Sequence, residues 1–305
     1  MATAHDAPAN DFDVVVVGGG PAGTAAGIFT ARYGLDTAVF DRGRSSIQQC
    51  AHLENYPGFP AGIDIETLYG LLHDHIEAAG CELVPDMVES VTRTEDEAGF
   101  VVDLQEGDSV TATRVIAATR YDGEYMRPLV GEEAFFTHEH DGEEHEHFDR
   151  DYPEMDGTTP VEGLYVASPA EETDRQAIIA AGRGARVALT VVDEIRAEQG
   201  LFDPVVDQYD WLRREASLEG EWADRERWVR WAEENRPDDH ALADDEWEEL
   251  LDREIDRRFE TYITDESVEE RTEQGQRRLL DHIDDALIVE RARELDHQDA
   301  PEADD

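Results

Sequence analysis

The sequence contains no lysine: all 26 basic residues are arginine, against 75 aspartate and glutamate residues in a chain of 305. The formal net charge at pH 7 is −49. In dilute buffer such a charge repels itself and destabilises the folded chain, whereas molar salt screens it. The composition is therefore typical of a halophile that accumulates salt. Five tryptophans and regular apolar periodicity argue against a disordered acidic chain.

A basic patch and a long apolar run are both missing. Nucleic acids and anionic membranes attract clustered basic residues, so we expect neither as a partner. No stretch approaches the roughly 18 apolar residues of a membrane span, and residues 1–11 lack the basic and apolar parts of a signal peptide. The two cysteines, Cys50 and Cys81, are too few for a disulfide framework. We therefore expect a cytoplasmic protein.

The composition of the chain changes near residue 200. Residues 12–199 alternate strand and helix patterns, which predicts an α/β, Rossmann-like (three-layer) domain with a small β insertion. Residues 200–297 show apolar residues at helical spacing and almost no strand signal, which predicts a C-terminal α-helical bundle of three or four helices. We expect this bundle to pack on the first domain or to form a partner contact, such as a homodimer. Residues 1–11 and 298–305 are predicted to be flexible.

Within the first domain the periodicity of apolar residues locates the individual elements. The predicted strands are 13–17, 37–40, 82–84, 87–92, 100–104, 110–113, 115–119 and 163–167. The predicted helices are 21–33, 65–79 and 175–196. Residues 132–160 are acidic, contain histidines and are interrupted by glycine and proline, which predicts a loop.

A glycine-rich turn follows the first predicted strand. Gly18, Gly20 and Gly23 stand in GxGxxG register between a strand and a helix. In that order they permit a tight turn, the approach of a pyrophosphate and close packing of the helix on the strand, while the helix N-terminus attracts phosphate. Asp41 ends the second strand, at the distance at which an acidic residue binds a ribose hydroxyl. The other members of this predicted dinucleotide site are Gly19, Pro21, Ala22 and Arg42.

The sequence around this turn resembles the FAD domain of thioredoxin reductase-like pyridine nucleotide–disulfide oxidoreductases. The resemblance rests on DVVVVGGGPAGTAAGIFTARYGLDTAVFD, LENYPGFPAGI, VIAAT and GLYVASPAEETDRQAIIAAGRGARVAL. It implies that FAD is the cofactor and that a helix beginning near residue 173 points its N-terminus at the isoalloxazine ring. The further site residues that it implies are Asn55, Tyr56, Pro57, Thr119, Arg120, Ser168, Gln176 and Ala177.

The chain also departs from that family. The family carries a second GxGxxG domain for NADPH and a CxxC pair, whereas residues 120–162 are too few for such a domain and no CxxC occurs. Arg120 stands where the family has the glycine of Ala-Thr-Gly, and Ser168-Pro169 stands where it has Gly-Asp. Its Gly-Gly-Gln is replaced by Arg44-Ser45-Ser46. The resemblance implies an FAD oxidoreductase that takes electrons from external NAD(P)H or from a partner protein. The alternative is a non-catalytic FAD- or ADP-binding module.

Two other groups of residues could carry chemistry. Cys50 lies just before ENYPGFP, at a position near the flavin in the family, and is the candidate redox thiol; a small buried side chain is the alternative. His138, His140, His145 and His147 lie among carboxylates. His-x-His pairs bind Zn²⁺, Ni²⁺ or Cu²⁺ when a rigid frame orients them. A polar loop supplies no such frame, so we expect a solvated loop and no metal site, with metal binding as the alternative.

Overall fold

The computed structural model describes residues 10–120, 122–140, 143–168, 176–206 and 210–298, with the backbone alone for 138–140, 143–145 and 297–298. The chain separates into two compact units, Met1–Gln199 and Gly200–Asp305. None of the described helices combines the length and the apolar character needed to cross a bilayer.

The first unit contains strands and helices in alternation. Its strands are β1 (Phe12–Val17), β2 (Thr37–Phe40), β3 (His52–Leu53), β4 (Ile63–Asp64), β5 (Glu82–Val84), β6 (Val88–Arg93), β7 (Phe100–Leu104), β8 (Val110–Ala117), β9 (Phe135–His140), β10 (Glu143–Phe148) and β11 (Leu164–Val166). Its helices are α1 (Pro21–Arg32), α2 (Ile65–Ala78), α3 (Arg127–Val130) and α4 (Ala177–Glu198). The three predicted helices are thus confirmed to within two residues at each end.

One large sheet organises this unit. Its parallel part has the order β5-β2-β1-β8-β11, and the antiparallel strands β7 and β6 extend it beside the first half of β8. Alternate residues of β1 face opposite sides. Val14 and Val16 pack with α1 and α4, whereas Val15 and Val17 pack with the antiparallel strands and α3. The sheet is therefore buried on both faces, in the predicted Rossmann-like arrangement.

Two predicted strands, 110–113 and 115–119, form the single strand β8. The charged residue Arg114 lies between the two predicted segments. In the structure Arg114 is buried, and its Nη2 donates to the Glu198 carboxylate near the end of α4 at 2.6 Å. Pairing with a carboxylate allows a charged side chain to be buried in mid-strand.

The prediction of a loop at 132–160 is wrong for its central part, which is the antiparallel hairpin of β9 and β10. Phe135 and Phe148 are paired at its base, with their ring centroids 5.7 Å apart in an edge-to-face arrangement, and Phe148 is buried in the core. Apart from Phe136, the remaining strand residues are polar on both faces, which concealed the alternation. The dipeptide Asp141-Gly142, a strong hairpin signal, separates the strands in sequence and lies outside the described residues.

Residues 10 and 11 are joined to the large sheet. Residues 1–9 lie outside the described residues. Asn10 and Asp11, which were predicted to be flexible, are attached to β8: Asn10 Nδ2 donates to Thr113 Oγ1, and Asp11 Oδ2 accepts from the Thr111 backbone N–H. These side-chain hydrogen bonds attach the residues just before β1 to the neighbouring strand β8. The sequence pattern does not reveal them.

The second unit is mostly helical. Its elements are β12 (Arg213–Arg214), α5 (Arg225–Asn235), α6 (Asp244–Glu260), β13 (Tyr262–Ile263), α7 (Asp265–Leu280) and α8 (Asp285–Gln298). Trp247 is fully buried in a core formed by α5, α6 and residues 201–206, as its apolar spacing predicted.

None of the described residues of α7 and α8 belongs to this core. Leu279 of α7, Leu287 of α8 and Ile283 between the two helices are exposed, so a compact bundle of all four helices stays a prediction. Of the predicted flexible tail, Gln298 ends α8, and residues 299–305 lie outside the described residues.

Candidate functional site

The glycine turn lies at the edge where the carboxyl ends of β1, β2 and β8 meet. Parallel sheets of this type bind ligands at that edge. A crevice of about 570 Å³ opens there, within the range of roughly 300–1,000 Å³ usual for ligand sites. The predicted site residues that line it are Gly18, Gly19, Gly20, Asp41, Arg42, Thr119 and Arg120.

The space around Gly18, Gly20 and Gly23 shows whether the turn can accept a dinucleotide. At Gly23 a Cβ atom would lie 1.7 Å from Gly18 O, so this glycine is required for α1 to approach the turn. Gly18 has φ +110°, a conformation that favours glycine. At Gly20 a Cβ would meet Ser45, with Oγ at 2.5 Å and Cβ at 3.5 Å, and Ser45 belongs to the crevice lining. Gly20 therefore keeps ligand space open.

Helix α1 presents its N-terminus to the crevice. Pro21 is its first residue, where the missing N–H costs nothing, and Ala22 is buried. The backbone N–H groups of a first helical turn have no partner within the helix, and together with the helix dipole they attract phosphate. The residues present at this turn therefore fit a pyrophosphate.

Arginines line the crevice although the chain is strongly acidic. Arg42, Arg44 and Arg120 are all part of its lining. Arg42 Nη2 lies 2.7 Å from Asp122 Oδ2, which fixes one guanidinium at the mouth. Five carboxylates, those of Asp41, Asp86, Glu89, Asp122 and Glu124, belong to the same lining. The attraction for an anionic ligand therefore rests on the helix N-terminus together with these arginines, and not on a net positive charge of the crevice.

Asp41 is buried, with 6% of its surface exposed, and is held by a cluster from α2. Tyr69 OH donates to Asp41 Oδ2 at 2.5 Å, His73 Nε2 lies 3.1 Å from the same oxygen, and the Gly43 N–H donates to Oδ1 at 3.0 Å. Burial alone would raise the pKa of Asp41, but His73, Tyr69 and the Gly43 N–H together hold it below its ordinary value. Burial and the Asp41 carboxylate raise the pKa of Tyr69. Asp41 is thus an ionised acceptor at the crevice.

The residues after β8 approach those after β11. The Arg120 N–H donates to Ser168 Oγ at 2.9 Å, and Arg183 Nε from α4 donates to the Ser168 carbonyl at 2.6 Å. Thr119 Oγ1 lies 3.1 Å from Tyr125 OH. Ser168 is buried and is not part of the crevice lining, so it acts on the site through Arg120.

The residues assigned to the flavin ring form a second group. Asn55 Nδ2 donates to Gln176 Oε1 at 2.8 Å, although 121 positions separate them. Ala177, the first residue of α4, packs with Tyr56 around the apolar cluster of Leu53, Ile63, Ile65 and Leu68. Pro57 is exposed on the adjoining turn. None of these residues lines the crevice. The predicted helix start near residue 173 lies outside the described residues, and α4 begins at Ala177.

The cysteines differ in environment. Cys50 is half-buried beside the cluster that contains Tyr56, and its thiol donates to the His52 carbonyl at 3.2 Å. Cys81 is buried, and burial together with nearby carboxylates raises its pKa to about 12. Neither forms a disulfide. Cys81 is therefore an inert core residue, and Cys50 remains the candidate thiol.

The structure adds a segment that the sequence analysis missed. Residues 86–89, which follow β5, form one wall of the crevice. Asp86 fixes this wall by accepting from the N–H groups of Met87, at 2.7 Å, and Gly107, at 2.9 Å. The only signal in the sequence was the position of the segment, directly after a parallel strand. The other lining residues that were not predicted as site residues are Val17, Phe40, Arg44, Ser45, Ser46, Gln49, Ala118, Asp122, Glu124 and Tyr125.

Among the side chains that the structure describes, no group of three or more His, Cys, Asp or Glu is placed to hold a metal ion. His147 belongs to that set. The side chains of His138, His140 and His145 lie outside it.

Comparisons with known proteins agree with this architecture. Residues 12–152 match the pyridine nucleotide-disulphide oxidoreductase family. The chain is 34% identical over 131 residues to NADPH-dependent thioredoxin reductase 3 of Arabidopsis thaliana, covering 41% of this chain and 24% of that protein. It is 37% identical over 87 residues to the thioredoxin reductase of Streptomyces clavuligerus, covering 28% and 27%. The chain thus spans about a quarter of the length of these relatives.

A solved structure shows the same fold. A thioredoxin reductase from Gloeobacter violaceus superposes with a TM-score of 0.50 at 17% sequence identity, and the match covers 67% of this chain and 98% of that one. The family and the thioredoxin reductases are flavoproteins that bind FAD, which supports the cofactor expected from the sequence. Residues 12–152 are similar to the pyridine nucleotide-disulphide oxidoreductases, and to thioredoxin reductases among them.

Proposed function

We propose that the protein is an FAD-dependent oxidoreductase that holds the cofactor in its first unit and receives electrons from outside the chain. The observation that carries the proposal is the crevice at Gly18–Gly20, where α1 points its N-terminus at a space lined by three arginines. When bound, FAD supplies electron-transfer chemistry at its isoalloxazine ring. Gly20 leaves room for the pyrophosphate, and Asp41 offers an acceptor for a ribose hydroxyl.

Asn55 and Gln176 are the residues that we assign to the ring end of the cofactor. Their hydrogen bond orders two amide side chains at the start of α4. With FAD bound, the N-terminus of α4 would favour negative charge on the ring. The apolar cluster against which Tyr56 and Ala177 pack, which includes Ile65 and Leu68, would help to exclude water there.

The segment between β8 and β11 bears on the source of electrons. The described residues there form α3, the hairpin of β9 and β10, and short 3-10 turns. This supports a chain without its own NADPH domain. The two cysteines are free, and Cys81 is buried, which supports the lack of an internal redox disulfide. A diffusible NAD(P)H or a protein carrier is then the donor, and the exposed residues of α7 and α8 are a candidate contact for such a protein or for a second copy.

A second candidate function is a non-catalytic FAD- or ADP-binding module. The observation that favours it is the pair Arg120 and Ser168, each of which occupies a position where the family that this chain resembles has glycine. In this alternative the crevice still binds the adenosine and pyrophosphate, but the ring is not positioned for reaction.

The test is the visible spectrum of the protein purified in molar KCl. Flavin bands, with FAD released on denaturation, are expected. The variant Gly20→Ala/Ser45→Ala removes the clash between the new Cβ and Ser45 Oγ, so a loss of flavin in it reports the ligand space alone. Ser45→Ala is the matched control and should keep its flavin. Full flavin content in the double variant would refute the assigned site.

Anaerobic titration separates the two functions. Bleaching of the flavin bands by NADH or NADPH identifies an oxidoreductase with a diffusible donor. A protein donor is indicated if dithionite bleaches the flavin bands, neither NADH nor NADPH does, and the reduced protein then passes electrons to an added dye. A protein that binds ADP but contains no flavin is the outcome that favours the non-catalytic module.

A further inference from the structure

The second unit contains a pocket of its own, here named the tryptophan pocket. It is lined by residues of β12 and β13, by the segment 217–222, by Trp228 of α5 and by the last turns of α6. The Arg213 N–H donates to the Thr261 carbonyl at 2.7 Å, which pairs Arg213 with Tyr262 in the lining. The volume of about 400 Å³ lies within the range of roughly 300–1,000 Å³ usual for small-molecule sites.

Aromatic rings supply much of the apolar surface of the tryptophan pocket. The ring centroids of Trp222 and Trp228 lie 4.5 Å apart, and Trp228 Nε1 donates to the Trp222 carbonyl at 2.8 Å. Guanidinium groups also hold these rings: Arg227 lies 4.5 Å from the Trp222 centroid, and Arg258 lies 4.3 Å from the Trp228 centroid. Both indoles are half-buried and belong to the lining. They offer an ordered surface on which the ring of a ligand can pack.

Arg213 brings a positive charge that no carboxylate of the described chain neutralises directly. It is half-buried, and its Nη1 lies 3.3 Å from the Trp211 carbonyl oxygen and 3.5 Å from Thr261 Oγ1, both neutral acceptors at long distances. Acidic residues outnumber arginines 75 to 26 in this chain, so potential partners are plentiful. A guanidinium presents several N–H donors in a fixed fork that matches a carboxylate. Arg213 is therefore suited to bind the carboxylate of a ligand.

The remaining charges of the lining are those of Arg258, Glu254 and Glu219. Glu254 and Arg258 stand four positions apart on α6, the spacing that places side chains next to each other on a helix, so they add one charge of each sign. Glu219 is exposed and forms no ion pair with any arginine or histidine that the structure describes. Arg213 and Glu219 thus give the pocket opposite charges that are not paired with each other. Such a lining complements a zwitterion better than a simple anion or cation.

We propose that the tryptophan pocket binds a free aromatic α-amino acid, with its carboxylate on Arg213, its ammonium group on Glu219 and its ring against the two indoles. An α-amino acid carries both charged groups on one carbon, so it can bridge an arginine and a glutamate that do not contact each other. The planar guanidinium recognises the carboxylate, and the Glu219 carboxylate accepts from the ammonium group. The indoles favour an aromatic side chain over an aliphatic one of similar size, because aromatic rings attract each other beyond the effect of burial.

The experiment is calorimetric titration of the full chain in molar KCl with L-phenylalanine and with three analogues that each lack one of its groups. L-Leucine lacks the ring, phenethylamine lacks the carboxylate and 3-phenylpropionate lacks the ammonium group. We expect one L-phenylalanine per chain. Each analogue should bind about tenfold more weakly, because it forfeits one charged hydrogen bond or one aromatic contact.

Variants of the two charged residues assign each group of the ligand. Arg213→Gln should weaken L-phenylalanine binding about tenfold without weakening the binding of phenethylamine, which has no carboxylate to lose. Glu219→Gln should likewise weaken L-phenylalanine binding but not the binding of 3-phenylpropionate. Arg214→Gln is the matched control. Arg214 is the next residue of β12, pairs with Asp265 and is not part of the lining, so the affinity for L-phenylalanine should not change.

Several outcomes would overturn the proposal. They are the absence of L-phenylalanine binding up to its solubility limit, equal affinity for L-leucine, tighter binding of 3-phenylpropionate than of L-phenylalanine, and an equal loss of affinity in Arg213→Gln and Arg214→Gln. Far-UV circular dichroism checks that the helices of the second unit stay folded in each variant. Because no readout involves the flavin, the result does not depend on whether the protein is an oxidoreductase.

Discussion

The backbone N–H of Arg120 donates a 2.9 Å hydrogen bond to Ser168 Oγ, which joins two positions where the chain departs from the family that it resembles. Arg120 has φ +66°, in the left-handed region that costs a residue with a side chain about 1–2 kcal/mol. The hydrogen bond offsets part of that cost, and Arg183 in turn fixes Ser168. The two substitutions therefore form one hydrogen-bonded unit.

The first prediction tests this backbone strain. Arg120→Gly and Arg120→Ala both remove the guanidinium, so the difference between them isolates the backbone. We expect the glycine variant to be more stable by about 1 kcal/mol, because only glycine adopts this φ without strain. Arg186, an exposed arginine in the interior of α4, is the matched control: there alanine should be the more stable by about 1 kcal/mol. Midpoints of denaturant unfolding of the flavin-free proteins measure both differences, and the same order at both positions would contradict the assignment.

The second prediction concerns the packing of α4 on α1. A Cβ at Gly184 would lie 1.9 Å from Ala22 O, in the first turn of α1, whereas a Cβ at Gly182 of the same helix would meet nothing within 4 Å. Gly184→Ala should therefore destabilise the first unit by about 1–3 kcal/mol and lower its flavin content. Gly182→Ala should stabilise it by about 0.4–1 kcal/mol, because alanine restricts the unfolded chain. Thermal unfolding compares the variants, and equal effects would show that the helices are not in close contact.

The third prediction follows from the lowered pKa of Asp41. A carboxyl whose pKa is lower in the folded protein stabilises it fully above the unfolded pKa, near about 3.9, and loses that contribution as the pH falls through the folded pKa. Asp41→Asn should cost about 2 kcal/mol at pH 7, as expected for hydrogen bonds to a charged group, and progressively less below about pH 4.

The test is the difference in unfolding free energy between the parent and Asp41→Asn, measured from pH 3 to 7 in molar KCl. Tyr69→Phe provides the control. Because Tyr69 OH donates to the same carboxylate, the cost of Asp41→Asn should be smaller in that background. A difference that is independent of pH would mean that Asp41 is not the ionised acceptor described here.

The sequence predicted well what neighbouring residues decide. Gly18, Gly20 and Gly23 act within one strand–turn–helix unit, so their spacing alone located the crevice. Contacts between distant segments were not visible in the same way. The continuity of β8 through Arg114 was missed, and the partner that allows this charged side chain to be buried, Glu198, is 84 positions away. The hairpin of β9 and β10 was missed because only its base is apolar, and residues 86–89 carry no motif at all.

The residues at the ring end were located by resemblance, and their contact gives the last prediction. Asn55 and Gln176 bond to each other outside the crevice that we propose for the pyrophosphate, so they should affect only ligands that carry the isoalloxazine ring. Asn55→Ala should weaken FAD binding about tenfold, which corresponds to about 1.4 kcal/mol, and should leave ADP binding unchanged. Gln176→Ala should cost about as much, and the double variant little more than either, because the two amides act as a pair.

Gly20→Ala/Ser45→Ala is the comparison: its added methyl group fills space that both ligands need, so it should weaken FAD and ADP alike. Fluorescence titration of the apoprotein with FAD, and calorimetry with ADP, measure the affinities. Equal losses of FAD and ADP affinity in Asn55→Ala would place this residue with the crevice and leave the ring end of the site unassigned.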